Sequence, residues 1–287
     1  MTFASIPDII VKKLNNLRGL SKMDLQLKGK KALVCAATSG LGFATALELA
    51  REGAHIFICG RDEQKLMQAI KIIKESIAEP SHVFGMVADV IHSDQIDELI
   101  TQVADKLSGI DILITNAAGP SPGHFDNLDT KDWQQACNLT LLSCSQLIKK
   151  ALPYLRQSKN ASILTITSIS TKQPIPGLTL SNVFRPGVIG LTKTLSQELG
   201  PENIRVNSIL PGWTMTDHSK QLLNILAEKN HSSFKEEYEK ISQATALKRI
   251  GQPEEFAKVA TFLVSPAASY LTGVMLQVDG GSYQGLF

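Results

Sequence analysis

The sequence has no pair of cysteines spaced C-x-x-C, no run of basic residues longer than two and no long apolar stretch. Each absence removes a class of function. Its four cysteines (Cys35, Cys59, Cys137, Cys144) lie singly in apolar or helical runs, which excludes a zinc ribbon and predicts small buried thiols in a reducing compartment. Twenty-nine Lys and Arg stand against 27 Asp and Glu, a net charge of +2, so the balance offers no electrostatic footprint for nucleic acid. A bilayer span needs about 18 consecutive apolar residues, and a secretory leader needs an apolar core with a cleavage site. Neither is found, and a soluble cytoplasmic protein acting away from membranes is expected. Aromatics are sparse as well: the four tyrosines are Tyr154, Tyr238, Tyr270 and Tyr283.

What the chain does have is alternation. Short apolar runs occur at 31–36, 54–59, 82–88, 111–116, 161–167, 204–210 and 274–278, separated by stretches with helical spacing, such as Leu191, Leu195 and Leu199 before Gly200. Strands buried on both faces read as continuous apolar runs, and strand–helix–strand order makes neighbours parallel. The reading is an α/β fold, a doubly wound (Rossmann) parallel sheet of about seven strands with helices on both faces, in a single domain. At 287 residues and 43% hydrophobic, the chain can bury the core this requires.

Two segments stand apart. Residues 1–22 form an N-terminal extension ahead of the 23–287 domain, with Ile6, Ile9, Ile10, Leu14 and Leu17 on one helical face. A helix packed on the body or on a neighbouring subunit is predicted there, with disorder or membrane-surface attachment as the other readings. Residues 217–248 interrupt the alternation with a helix-rich excursion of apolar faces (Leu222, Leu223, Ile225, Leu226, Phe234, Tyr238, Ile241). A connection this long in an α/β sheet predicts a lid.

The first strand runs into a loop of small residues that opens a helix, "AATSGLGFATALELA". Small residues let backbone N–H groups approach a pyrophosphate, and a helix N-terminus favours its charge. The spacing differs from G-x-G-x-x-G. It resembles instead the T-G-x-x-x-G-x-G loop of the short-chain dehydrogenase/reductase family. Here the loop residues are Ala36, Thr38, Ser39, Gly40, Leu41 and Gly42, with Ala36 in place of the first glycine. An alanine there is mild if φ is negative and costly if φ is positive. Further landmarks follow in family order over residues 24–287: Asp89-Val90, similar to the pair that holds the adenine; Asn116 and Ala118 in "TNAAG"; Asn138 in "NLT"; Pro211-Gly212 with Thr216, similar to the segment meeting the nicotinamide carboxamide; and "VDGG" at 278–281. The resemblance implies an oxidoreductase that binds a nicotinamide dinucleotide, closest in pattern to the 3-oxoacyl-[acyl-carrier-protein] reductase-like branch. It also implies a homo-dimer or homo-tetramer. Which phosphate state is bound has its own physical argument. A carboxylate ending the second strand would bind ribose hydroxyls and repel a 2′-phosphate. The chain has Gly60-Arg61 there, and a guanidinium favours NADP(H) over NAD(H). The alternative for Arg61 is a solvent-exposed side chain at the start of the next helix.

The resemblance also implies a catalytic quartet of Asn, Ser, Tyr and Lys. Asn138 and Ser168 match the first two. Thirteen residues beyond Ser168 the tyrosine position holds Ser181, and four further on the lysine position holds Arg185. A phenol has a pKa near 10, whereas an aliphatic hydroxyl is a far weaker acid. Ser181 is therefore expected to be a poor direct donor, passing a proton through water or hydrogen-bonding a substrate, with Tyr238 of the lid as another candidate donor; the alternative is that Ser181 and Arg185 are only structural. Arg185 is expected to hold ribose hydroxyls and to stabilise an alkoxide with a charge it cannot give up. Pro186 follows at once, and the residue before a proline avoids the helical region. The helix is thus predicted to begin near 186 or to kink there. Two functions remain open on the sequence: a reductase of a small-molecule carbonyl or acyl-thioester substrate with a modified proton relay, or a non-catalytic dinucleotide-binding protein of the same fold.

Overall fold

The computed structural model describes residues 23–78 and 82–286, so the expected N-terminal helix lies outside the described residues. Each apolar run is a strand: β1 (Lys31–Val34), β2 (His55–Gly60), β3 (Val83–Val87), β4 (Ile112–Thr115), β5 (Ala161–Ile166), β6 (Ile204–Pro211) and β7 (Met275–Val278). They form one seven-stranded sheet in the order β3-β2-β1-β4-β5-β6-β7, with every pairing parallel.

Alternate strand residues feed two cores because successive side chains point to opposite faces. Leu33, Phe57, Leu113 and Ile163 pack with α3 (Ser93–Leu107) and α5 (Ser143–Leu155) through Leu99, Val103 and Leu147. Val34, Ile56, Ile58 and Ile114 pack on the other face. There they meet α1 (Gly40–Arg51), α2 (Glu63–Glu75) and α9 (Pro253–Val264) through Leu49, Leu66 and Phe256. Cys35, Cys59 and Cys144 are buried thiols of the first core, and Cys137 is half-buried. All four are free. Among the described residues no helix is long and apolar enough to cross a membrane.

This topology decides where a ligand can sit. The strand order reverses between β1 and β4, and in such sheets a crevice opens beyond the carboxyl ends of the strands at that point. Residues that follow the strands, namely Ala36, Asn116, Ser168 and Gly212, are carried to that crevice.

Two helical segments differ from simple expectation. α4 (Thr130–Cys137) continues into α5 through a π-helical stretch, Asn138–Leu142, of the kind often found at functional sites. α6 runs unbroken from Thr179 to Glu198 with Pro186 inside it, so the predicted start near 186 is incorrect. The cause is tertiary. Asn182 exchanges two hydrogen bonds with the backbone of Ile175, accepting from its N–H at 3.0 Å and donating to its C=O at 2.9 Å. Leu180 and Ser181 are buried. These contacts hold the two turns before the proline in place against its local bias.

The excursion at 217–248 folds as α7 (Asp217–Lys229) and α8 (Phe234–Gln243). The turn between them closes on buried Glu237, which accepts from Lys240 at 2.7 Å, Ser232 at 2.6 Å and Asn230 at 3.2 Å. These donors, Lys240 first, hold the carboxyl pKa down to about 2.

Candidate active site

The crevice is a groove of about 740 Å³, within the range of cofactor and ligand sites. At one end lies the loop from β1 to α1. Ser39 precedes α1 without bonding the helix by its side chain, leaving first-turn N–H groups to serve an anion. A Cβ added to Gly42 would stand 2.6 Å from the Ala36 carbonyl and 2.9 Å from Asn116 Nδ2, so only glycine fits. Gly60 is equally constrained, because a Cβ there would collide with Thr38. Asn116 Nδ2 donates to the Ala36 carbonyl at 3.2 Å, so this side chain braces the loop. Ala36 itself has φ +47°. The alanine therefore sits in the left-handed region and carries roughly 1–2 kcal/mol of strain that a glycine would avoid.

Arg61 follows β2 and lines the same end, its side chain 67% exposed and 3.9 Å from Asp89. Asp89 turns its Oδ1 back to the Ile91 N–H at 3.2 Å. Asp62 caps α2 through the Lys65 N–H, and both Asp62 and Lys65 line the groove. Lys65 lies in the first turn of α2, just past its Asp62 cap, while Arg61 precedes that cap; sequence reasoning stopped at Arg61 and missed it. The cradle thus fits a dinucleotide: backbone donors for a pyrophosphate at the start of α1, a loop packed tightly at Gly42, and the cations Arg61 and Lys65 along the same end.

At the other end, Ser168 leaves β5, lines the groove and accepts from the Ser170 N–H at 3.1 Å. Arg185 also lines it. Its Nε donates to Ser181 Oγ at 3.0 Å and its Nη1 to the Thr167 carbonyl at 2.7 Å. Burial of the guanidinium lowers its pKa to about 10, which leaves it a cation at neutral pH. Ser181 is buried, lies within 3.2 Å of Ser170 Oγ and is not among the groove-lining residues. Asn138 does not line the groove either, and its Oδ1 accepts from Gln134 at 3.1 Å. A small chamber of about 20 Å³ lies behind Arg185, bordered by Asn116, Thr140 and Cys144. It has room for one water, and the buried Thr140 Oγ1 has no protein partner.

Of the remaining expected residues, the structure brings Thr38, Ser39, Gly40, Leu41, Val90, Ala118, Pro211, Gly212 and Thr216 to the groove. Gly42 lies beneath it as the constrained turn. Tyr238 is not among the lining residues. Sequence reasoning missed Trp213, which follows the end of β6, and His218 in the first turn of α7; Leu222, expected among the apolar residues of the excursion, lines the groove beside them.

The comparisons with known proteins agree with this architecture. The family profile described as Enoyl-(Acyl carrier protein) reductase matches residues 35–283. The 3-oxoacyl-[acyl-carrier-protein] reductase FabG of Thermotoga maritima is 34% identical over 257 residues, covering 90% of this chain and 99% of the relative. The crystal structure of L-sorbose reductase from Gluconobacter frateurii, complexed with NADPH and L-sorbose, superposes with a TM-score of 0.88 at 30% identity, covering 92% of this chain and all of that one. An NADPH-bound short chain oxidoreductase from Pseudomonas aeruginosa PAO1, described as containing an atypical catalytic center, gives 0.78 at 27% identity over 88% of this chain and 96% of the other. The chain belongs to the short-chain dehydrogenase/reductase family.

Proposed function

We propose that this protein is an NADP(H)-dependent oxidoreductase that reduces a carbonyl substrate, small molecule or acyl-thioester, with a proton relay altered from the family pattern. The observation that carries the reading is one continuous groove joining the glycine loop and Arg61 to Ser168 and Arg185. The NADPH complexes among its structural relatives support the choice of cofactor. The bound nicotinamide would supply hydride to the carbonyl carbon. Ser168 donates a hydrogen bond to the carbonyl oxygen and fixes its orientation. Arg185 stabilises negative charge developing on that oxygen. Ser181, buried beneath Arg185, orients the guanidinium and is too enclosed to protonate substrate itself. The proton therefore arrives by water, and the chamber beside Thr140 offers a place to hold one. α7 closes over the reacting end through Leu222 and excludes bulk water. Half-exposed apolar side chains on the α5–α6 side, Leu142 and Val183, fit a homo-dimer or homo-tetramer.

The burial of Ser181 is also what favours a second reading, a dinucleotide-binding protein without turnover. Steady-state NADPH oxidation with a panel of ketones, keto acids and acyl thioesters separates the two. The reductase reading predicts turnover on at least one class, lost on Ser168→Ala. Tight NADPH binding with no turnover on any of them sinks it.

A further inference from the structure

Among the described residues, burial lowers the pKa of two arginines, Arg185 and Arg205, and one of the two is electrostatically accounted for. Arg205 gives four hydrogen bonds to the carbonyls of Leu263, Val264, Ser265 and Leu271, at 2.7–3.3 Å. Three of these belong to or follow the last turn of α9, where the helix dipole is negative. Its charge has a structural counterpart. Arg185 has none. Its two partners, Ser181 Oγ and the Thr167 carbonyl, are neutral, and burial is the only influence moving its pKa. Nη2 makes no hydrogen bond among the described residues. It lies on the groove side, 3.6 Å from where a Cβ on Gly119 would stand.

The three carboxylates that line the groove do not fill the gap. Asp62 caps α2, Asp89 faces Arg61, and Asp217 pairs with Lys220 at 3.2 Å. Arg185 forms no ion pair among the described residues. A cofactor's phosphates would meet their own donors at the opposite end, on the α1 N-terminus, Arg61 and Lys65. A buried charge left without a counter-charge is costly, and a developing alkoxide exists only in the transition state. A permanent anion here would supply the missing counter-charge; the cofactor's ribose hydroxyls can bond Arg185 but are neutral, so the ligand able to bring that anion is the substrate.

We propose that the substrate is a keto acid whose carboxylate is bound by the free edge of the Arg185 guanidinium, which makes Arg185 the residue that determines substrate specificity. This rests on the reductase reading given above. Nε and Nη1 being committed to Ser181 and Thr167, Nη2 is the nitrogen left to make charge-assisted hydrogen bonds to a carboxylate, and Ser168, just past Thr167 on the same strand end, is left to hold the adjacent carbonyl.

The test compares a series of 2-oxo and 3-oxo acids, each against its methyl ester, and a 3-oxoacyl thioester that lacks a carboxylate. NADPH oxidation is followed for the wild type, Arg185→Gln and Arg185→Lys, with NADPH affinity measured by fluorescence for each. The expected result is a wild-type kcat/KM at least tenfold higher for acid than for ester. That ratio should collapse toward one in Arg185→Gln, mostly through KM, and be partly kept in Arg185→Lys. Because it is a ratio, general damage to the site cancels. A wild type that prefers the ester or the thioester overturns the proposal. So does an unchanged ratio with both substrates falling together, which would confine Arg185 to the alkoxide or ribose. Should the wild type turn over nothing, the reductase reading is what fails. Calorimetry of the same acids with the NADPH-bound protein then decides: binding lost in Arg185→Gln upholds the anion site, and no binding removes it.

Discussion

At its phosphate end the groove is lined by backbone, and at its reacting end by side chains. Around Gly40 and Gly42 the chain is held by fixed geometry: a turn only glycine fits, a carbonyl braced by Asn116, and a helix start with unspent donors. Around Ser168 the elements are equally well placed, yet the groups on them are a buried serine, a guanidinium with no ion pair among the described residues and a proline within the helix. The comparison predicts that the two ends respond separately to substitution. On this account dinucleotide binding rests on backbone geometry together with the Arg61 charge, whereas proton transfer rests on single side chains around Ser168.

Four perturbations would sharpen or break this contrast. The largest effect is expected for Ser168→Ala, which should lower kcat/KM by about a hundredfold, the usual consequence of losing one well-placed donor, while NADPH affinity stays constant. If affinity falls in parallel, the two ends are not separable. Arg61→Ala should weaken NADPH by roughly thirtyfold, in keeping with loss of a charge-assisted contact of about 2 kcal/mol. NADH should change little, and equal losses for both would remove the 2′-phosphate assignment. Pro186→Ala restores an N–H to the helix interior and should raise Tm by about 3 °C, as part of the helical cost of about 3 kcal/mol is recovered. Ala36→Gly relieves the left-handed strain at the other end and should raise Tm by about 2 °C, offset partly by unfolded-state entropy. It should leave NADPH affinity equal or better.

The turn between α7 and α8 supplies a pH test. The folded pKa of Glu237 is depressed to about 2 from an ordinary 4.5. Its stabilisation is therefore complete above about pH 4.5 and is lost as pH falls through the folded value. The Tm difference between wild type and Glu237→Gln should be steady from pH 7 to 5 and narrow progressively below pH 4.5. A difference independent of pH would show that packing, not the carboxylate, holds the turn.

The seven strands were legible because parallel strands buried on both faces leave continuous apolar runs, and the groove residues were legible wherever they follow a strand end. Ala36 shows one limit, since its residue type does not state the sign of φ. Pro186 shows another: a local bias against helix is overridden by the bonds between Asn182 and Ile175, which are formed only in the folded chain. Ser181 was placed by counting from Ser168, but counting does not reveal that Arg185 covers it. His218 reaches the groove through the path of α7, which no local pattern encodes, and Trp213 was passed over although it follows the end of β6.

The central claim is that hydride chemistry persists at a site without the family's tyrosine. The direct test is transfer of deuterium from NADPH doubly deuterated at the nicotinamide C4 to a carbonyl substrate, read by mass spectrometry of the product alcohol. One deuterium per product molecule, abolished in Ser168→Ala, is the predicted result. Saturable NADPH binding with no deuterium in any product of the ketone, keto acid and thioester series would contradict it.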